Sequence, residues 1–212
     1  MKTEIQPLTV VETKRFLEMI HGDGMEAFYS VALALGLRRG EALALRWEDV
    51  DLEAGIMHVR HHLHRPRGGG WKLAAPKSAR GKRAIRMPRF AIEALGEHRK
   101  RQVEERLAAG SEWQDHGFIF TTATGLPVDG NNVYKRFKRL LAKAGFREGV
   151  RLHDLRHTAA KLLLAQGVHE RSIMEILGHS QISLTMDTYS HVMPSLLDDA
   201  AGKMDQILGS GS

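Results

Sequence analysis

The amino-acid sequence predicts an α+β fold that is mainly helical, in which a helical bundle carries a small antiparallel sheet of about three strands. Two patterns predict this class. Apolar residues recur at helical spacing along most of the 212-residue chain, between capping residues and glycine stops. One central region instead alternates apolar and polar residues around the glycines at 68–70, in the segments GIMHVRHHLH and KRAIRMP. With 42% hydrophobic and 26% charged residues, the composition is typical of one globular domain, which we place at residues 1–208.

The first two helices are predicted from local start and stop signals. Thr9, with Glu12 three residues later, forms a capping box, and the helix that it starts ends near His21. A second and strongly apolar helix begins near Asp23 and runs to Gly36. The polar segment RRGE then separates this helix from the apolar stretch ALALRW, so its charges are expected to lie in a site rather than on an ordinary surface.

The second half of the chain adds further helices after the strand region. Pro88 opens a long amphipathic helix that ends at Gly110, and Asp129 caps the following one. Between them, GFIFTT is predicted to be a short buried strand or loop. The remaining helices are expected at 153–166, 169–177, 182–190 and 195–208, and residues 209–212 form a flexible or artificially added tail.

Several protein classes are excluded by composition. The chain has no cysteine, so it can form neither a disulfide framework nor a thiolate zinc site, and it has no cysteine nucleophile. It has no apolar run of about twenty residues, and its N-terminus lacks the apolar core of a secretory signal. We therefore expect a cytoplasmic protein with no membrane partner.

Basic residues are concentrated in two segments. Residues 1–59 carry six lysines and arginines against ten acidic residues, whereas 60–106 carry fourteen against four and 131–171 carry ten against three. Such segments attract a polyanion, because each neutralised phosphate releases condensed counterions. The candidate DNA contacts are Arg80, Lys82, Arg83, Lys135, Arg136, Lys138 and Arg139.

The segment HDLRHTAAKLLL places His153 and Arg156 on one face of a helix, where both can approach one phosphate. This spacing alone is weak, because His62 and Arg65 show it too. The order of motifs along the chain is more specific: GLRRGE, a lysine in PKSARGK, HDLRH, LGH and then Tyr189.

This ordered set resembles the tyrosine recombinase family of the phage integrase type, from about Leu8 to Met193. The resemblance implies the catalytic-domain fold of that family, without the N-terminal core-binding domain that its members usually carry. It places Glu41 as the carboxylate that orients the first arginine. Lys72 and Lys82 are alternatives for the catalytic lysine, and His157 is expected to be structural. The implied catalytic residues are Arg38, Lys77, His153, Arg156, His179 and the nucleophile Tyr189.

The resemblance implies that the tyrosine attacks a DNA phosphodiester, giving a 3′-phosphotyrosyl linkage and a free 5′-hydroxyl, without a metal or other cofactor. Fixed cations suit this chemistry, because negative charge develops on the phosphate oxygens. The implied partner is double-stranded DNA carrying attachment-type sites. Four protomers would exchange strands on two sites through a Holliday junction, and the isolated chain is expected to be a monomer.

Three alternatives follow from the same residues. The first is a type IB topoisomerase, which uses the same nucleophile to relax one duplex. The second is a DNA-binding protein without catalysis that uses the helix pair at 161–178 as a helix-turn-helix. The third is a metal-dependent nuclease built on His62 and His64, which is disfavoured because no carboxylate cluster accompanies them. Within the family, the ending GHSQISLTMDTYSHV favours an integrase of a phage or other mobile element.

Overall fold

The computed structural model describes residues 7–66, 69–76 and 81–178. Short 3₁₀ turns lie at Trp47–Asp49 and at Gly110–Glu112. In this part of the chain, none of the helices has the length and apolar character that crossing a membrane requires. The helices are α1 (Val10–Ile20), α2 (Glu26–Ala34), α3 (Arg39–Leu43), α4 (Arg89–Ala109), α5 (Gly130–Lys143), α6 (Asp154–Ala165) and α7 (Glu170–Leu177).

The strands form two small antiparallel sheets. In the first, Ile56–Val59 lies between Val50–Asp51 and Arg83–Arg86, and the second is a hairpin of His62–His64 and Lys72–Ala74. In the first sheet, Val50 pairs with Met57 and Val59 pairs with Arg83. The strand bounds are β1 (Val50–Asp51), β2 (Ile56–Val59), β3 (His62–His64), β4 (Lys72–Ala74) and β5 (Arg83–Arg86).

Helix α2 lies at the centre of the core and packs against α4 and α6. Seven of its nine residues are buried, as expected of a helix that is apolar on all sides. Its Phe28 and Tyr29 meet Phe16, Phe120 and Phe137 edge-on or tilted, with ring centroids 5.2–6.1 Å apart. The loop that follows α2 begins the candidate site.

The predicted fold class is confirmed, and the start signals of α1 and α5 are found where they were expected, whereas α2 begins at Glu26 rather than near Asp23. Thr9 and Glu12 form the capping box of α1, and the side chain of Asp129 accepts a hydrogen bond from the amide of Asn131 at the start of α5. The single three-stranded sheet was incomplete as a prediction, because His62–His64 pairs with Lys72–Ala74 in a separate hairpin. The predicted helices at 182–190 and 195–208 lie outside the described residues.

Candidate active site

Arg38 stands at the start of α3, directly after the buried Leu37. Its backbone is extended, with φ −68° and ψ 147°, and it occupies the N-cap position of the helix. Its side chain is 44% exposed, although one end of the guanidinium is anchored in the protein. Arg38 can therefore contact a ligand from solvent while keeping a fixed orientation.

The anchor of Arg38 is the carboxylate of Glu41, which is only 5% exposed. Glu41 Oε1 accepts a hydrogen bond from Arg38 Nη1 at 2.7 Å, and Oε2 accepts one from the Arg38 amide at 3.1 Å. Burial alone would raise the pKa of Glu41, but the charge and hydrogen bond of Arg83, and then those of Arg38, lower it below its ordinary value. Glu41 is therefore ionised at neutral pH and holds Arg38 by charge-assisted hydrogen bonds.

Arg156 reaches the same loop from α6. It is 2% exposed, and its Nη1 donates to the carbonyl oxygen of Gly36. Gly36 has φ +57°, a conformation that favours glycine, and it lies directly against Leu177 at the end of α7. The loop that presents Arg38 is thus joined to both α6 and α7.

His153 occupies the N-cap position of α6, beside Arg156 in the fold. The pKa of His153 is lowered mainly by burial and next by the charge of Arg156, and Arg38 makes a smaller contribution. Part of the His153 side chain is nevertheless open to solvent. Its ring meets that of His157 edge-on, with centroids 4.9 Å apart. Burial and the adjacent His153 lower the pKa of His157 to about 4. Both imidazoles are therefore neutral at pH 7, and a neutral imidazole can accept a proton.

The C-terminal end of α7 faces Arg38. Gly178 caps this helix in the left-handed conformation, with φ +67° and ψ 43°. Arg38 Nη2 lies 3.5 Å from the Gly178 carbonyl oxygen. In the sequence, His179 follows at once. The predicted site residues Lys77, Arg80, His179 and Tyr189 lie outside the described residues.

The side chain of Arg83, which we predicted to be a DNA contact, is buried in the structure. The Arg83 side chain is 7% exposed, and its Nη2 lies 3.0 Å from Glu41 Oε2. Its position in β5 explains this burial, because Ile85 and Met87 on the same strand face are both buried. The alternation of residues in KRAIRMP places Arg83 on the same strand face as the apolar Ile85, which indicates burial. The many basic residues around Arg83 instead favoured an exposed position.

The other described residues that we predicted as DNA contacts differ in whether their side chains are free to reach a phosphate or are held by other groups of the protein. Lys82, Lys135 and Arg139 are exposed. Arg136 makes a bidentate ion pair with Asp23, at 2.9–3.1 Å, and Lys138 Nζ donates to the carbonyl oxygen of Val150. Lys82, Lys135 and Arg139 are therefore the described candidates for direct contact with a phosphate backbone.

The described site thus combines an exposed, oriented guanidinium, a buried guanidinium and a neutral imidazole. Arginine offers a planar fork of donors that matches phosphate oxygens, and a neutral histidine can take part in proton transfer. Within the described residues, no three histidine or acidic side chains form a group that could hold a metal ion. The arrangement is suited to binding a phosphodiester and to moving a proton beside it.

Comparisons with known proteins agree with this chemistry. Residues 8–195 match the family described as the phage integrase family. A tyrosine recombinase XerC-like protein from Caldanaerobacter subterraneus subsp. tengcongensis is 34% identical, over 98% of this chain and 56% of its own. An integrase from Streptomyces ambofaciens is 31% identical, over 96% of this chain and 54% of its own. The chain spans about half the length of the curated relatives it matches.

Among solved structures, the Tn1549 transposon integrase bound to transposon right end DNA is similar to this chain. The two share a TM-score of 0.80 and 26% sequence identity, over 97% of this chain and 66% of that one.

Proposed function

Because the chain belongs to the phage integrase family, we propose that it is a site-specific DNA recombinase that cleaves and rejoins DNA through a tyrosine nucleophile. The observation that carries the proposal is the joining of Arg38, Glu41, Arg156 and His153 around the loop that follows Gly36. Arg38 and Glu41 are far in the sequence from His153 and Arg156, and all four match the motifs by which the chain resembles the family.

In the proposed reaction, Arg38 and Arg156 bind the non-bridging oxygens of the scissile phosphate. Their charges stabilise the negative charge that develops there during attack. Arg38 has the exposure that this contact needs, and Arg156 acts from a buried position, where a charge is screened less by water. Glu41 keeps the Arg38 guanidinium in place throughout.

The cleavage step moves one proton away from the nucleophile and one to the leaving group. The phenol of Tyr189 loses its proton as its oxygen bonds to phosphorus, and His153, neutral at pH 7, assists in accepting it. Lys77 gives a proton to the leaving 5′-oxygen, with Lys72 and Lys82 as neighbouring alternatives, and His179 completes the hydrogen bonds to the phosphate. The products are a 3′-phosphotyrosyl linkage and a free 5′-hydroxyl. The linkage retains the energy of the broken bond, so rejoining needs no cofactor.

We further propose that the substrate is double-stranded DNA with attachment-type sites, in the cytoplasm, and that recombination proceeds through a homotetramer on two sites and a Holliday junction. The names of the relatives, which include integrases, support an element-mobilising role. We assign the whole of 1–208 to the catalytic domain.

A trapping experiment tests the chemistry. A library of nicked duplexes with a randomised central segment is incubated with the chain, and the nick lets a short 5′-hydroxyl fragment diffuse away after cleavage. Covalent complexes that resist detergent are recovered, and their DNA is sequenced. We expect complexes with the native chain and none with Tyr189→Phe. Undiminished complexes with the variant would refute the proposal.

The type IB topoisomerase alternative predicts a different output from the same linkage. Two duplexes that carry the enriched site are incubated with the chain and analysed for joined products, and a supercoiled plasmid with one copy of the site is analysed for relaxation. Strand transfer between duplexes, assayed up to protein concentrations at which the chain assembles on paired sites, supports a recombinase. Relaxation without any strand transfer would favour a topoisomerase.

A further inference from the structure

Arg83 occupies a position that the proposed mechanism does not use. Its Nη2 lies 3.0 Å from Glu41 Oε2, and its Nε donates to the Ile176 carbonyl oxygen at 2.7 Å. Its Nη1 donates to the Gly81 carbonyl oxygen at 3.2 Å. A buried guanidinium is strongly unfavourable unless it is paired and hydrogen-bonded, and here each of the three nitrogens has an acceptor.

The charges of this cluster do not cancel. Glu41 lies between two guanidinium groups, with Oε1 2.7 Å from Arg38 Nη1 and Oε2 3.0 Å from Arg83 Nη2. One carboxylate can offset only one cation, so the cluster of Arg38, Glu41 and Arg83 carries a net positive charge. Arg83 is almost fully buried, whereas Arg38 is 44% exposed. The uncompensated charge therefore faces solvent through Arg38.

Without Arg83, Glu41 would orient Arg38 but would also weaken it as a catalyst. The negative charge of Glu41 would offset the positive charge by which Arg38 stabilises the phosphate. Arg83 removes this conflict. The charge of Arg83 lowers the pKa of Glu41 more than Arg38 does. The negative charge of the Glu41 carboxylate is therefore offset mainly by the buried Arg83. Glu41 can then act on Arg38 as a hydrogen-bond acceptor with little loss of net charge.

We infer that Arg83 is a positioning residue that neutralises Glu41 and thereby leaves the positive charge of Arg38 available to the scissile phosphate. The inference rests on the proposed cleavage reaction. Arg83 also joins β5 to the last turn of α7 through Ile176, where carbonyl groups lack partners within the helix. It thus fixes the end of α7 on the side where Gly178 faces Arg38.

A charge-rescue experiment tests the inference. Single-turnover cleavage of a nicked duplex enriched from the library is measured for the native chain, Arg83→Met, Arg83→Lys and the double variant Arg83→Met with Glu41→Gln. Arg83→Met should slow cleavage by about 10- to 100-fold, because Glu41 then offsets Arg38. The double variant should recover about 10-fold over Arg83→Met, because it removes the carboxylate charge and keeps an acceptor for Arg38. Arg83→Lys, which keeps the charge, should remain faster than Arg83→Met.

If the role of Arg83 is only structural, the double variant should cleave no faster than Arg83→Met, because replacing Glu41 as well cannot restore the lost packing. A double variant no faster than Arg83→Met, or an Arg83→Met rate equal to the native rate, would overturn the inference. Circular dichroism and thermal unfolding verify folding, and Arg83→Gln replaces Arg83→Met in both variants if the latter is unfolded. The proposed function fails separately, if the native chain forms no complex that depends on Tyr189.

Discussion

Gly36→Ala should disrupt both the fold and the site, because Gly36 is strained and tightly packed at once. Its φ of +57° is unfavourable for alanine by about 1–2 kcal/mol. A Cβ atom there would lie 2.2 Å from Leu177 Cδ2, and Leu177 is fully buried. Overpacking of this kind costs about 1–3 kcal/mol. We therefore expect the free energy of unfolding to fall by about 2–5 kcal/mol.

The chain offers a matched control in Gly22, which has φ +74° and no atom within 4 Å of the position that an alanine methyl group would take. Gly22→Ala carries the backbone strain without the clash, so urea unfolding of the two variants isolates the packing contribution, about 1–3 kcal/mol. Cleavage should also fall in Gly36→Ala, because the Gly36 carbonyl oxygen anchors Arg156. Equal destabilisation by the two substitutions would refute this reasoning.

Two further predictions concern pH and salt. Burial, followed by the charge of Arg156, lowers the pKa of His153 from its ordinary value of about 6.5. As the pH falls, the single-turnover cleavage rate of the native chain should therefore be lost with a midpoint below about pH 6.5, and a midpoint near pH 7 would contradict the role of His153. Lys135→Ala and Arg139→Ala, both on exposed positions of α5, should each reduce the slope of log affinity against log salt by about 0.9 in a DNA-binding titration. An unchanged slope would remove that residue from the DNA interface.

The sequence predicted best what local chemistry determines. Thr9 with Glu12 and Asp129 mark helix starts through hydrogen bonds that span only a few residues, and all three make them in the structure. The hairpin of β3 and β4 was not distinguished from the sheet, because the sheet pairs β2 with β5, which are separated in the sequence by the whole hairpin. The two-residue strand Val50–Asp51 is too short to carry a periodic pattern.

The same contrast holds in the site. The pairing of Arg38 with Glu41 was implied by the resemblance to the family, and in the structure the two residues meet at the start of one short helix. The burial of Arg83 was not predicted, since its partners Glu41 and Ile176 are distant in sequence. The link from Arg156 to Gly36 joins a side-chain donor to a backbone carbonyl oxygen, and a pattern of side chains in the sequence does not identify such an acceptor.

Mapping the trapped complex shows whether Tyr189 forms the covalent bond to DNA. Trypsin should release residues 172–203 as one peptide in which Tyr189 is the only tyrosine. After nuclease digestion, fragmentation in a mass spectrometer locates the attached nucleotide and its polarity. We expect a nucleotide joined through its 3′-phosphate to Tyr189. A nucleotide on Tyr134, on a serine, or joined through a 5′-phosphate would contradict this expectation.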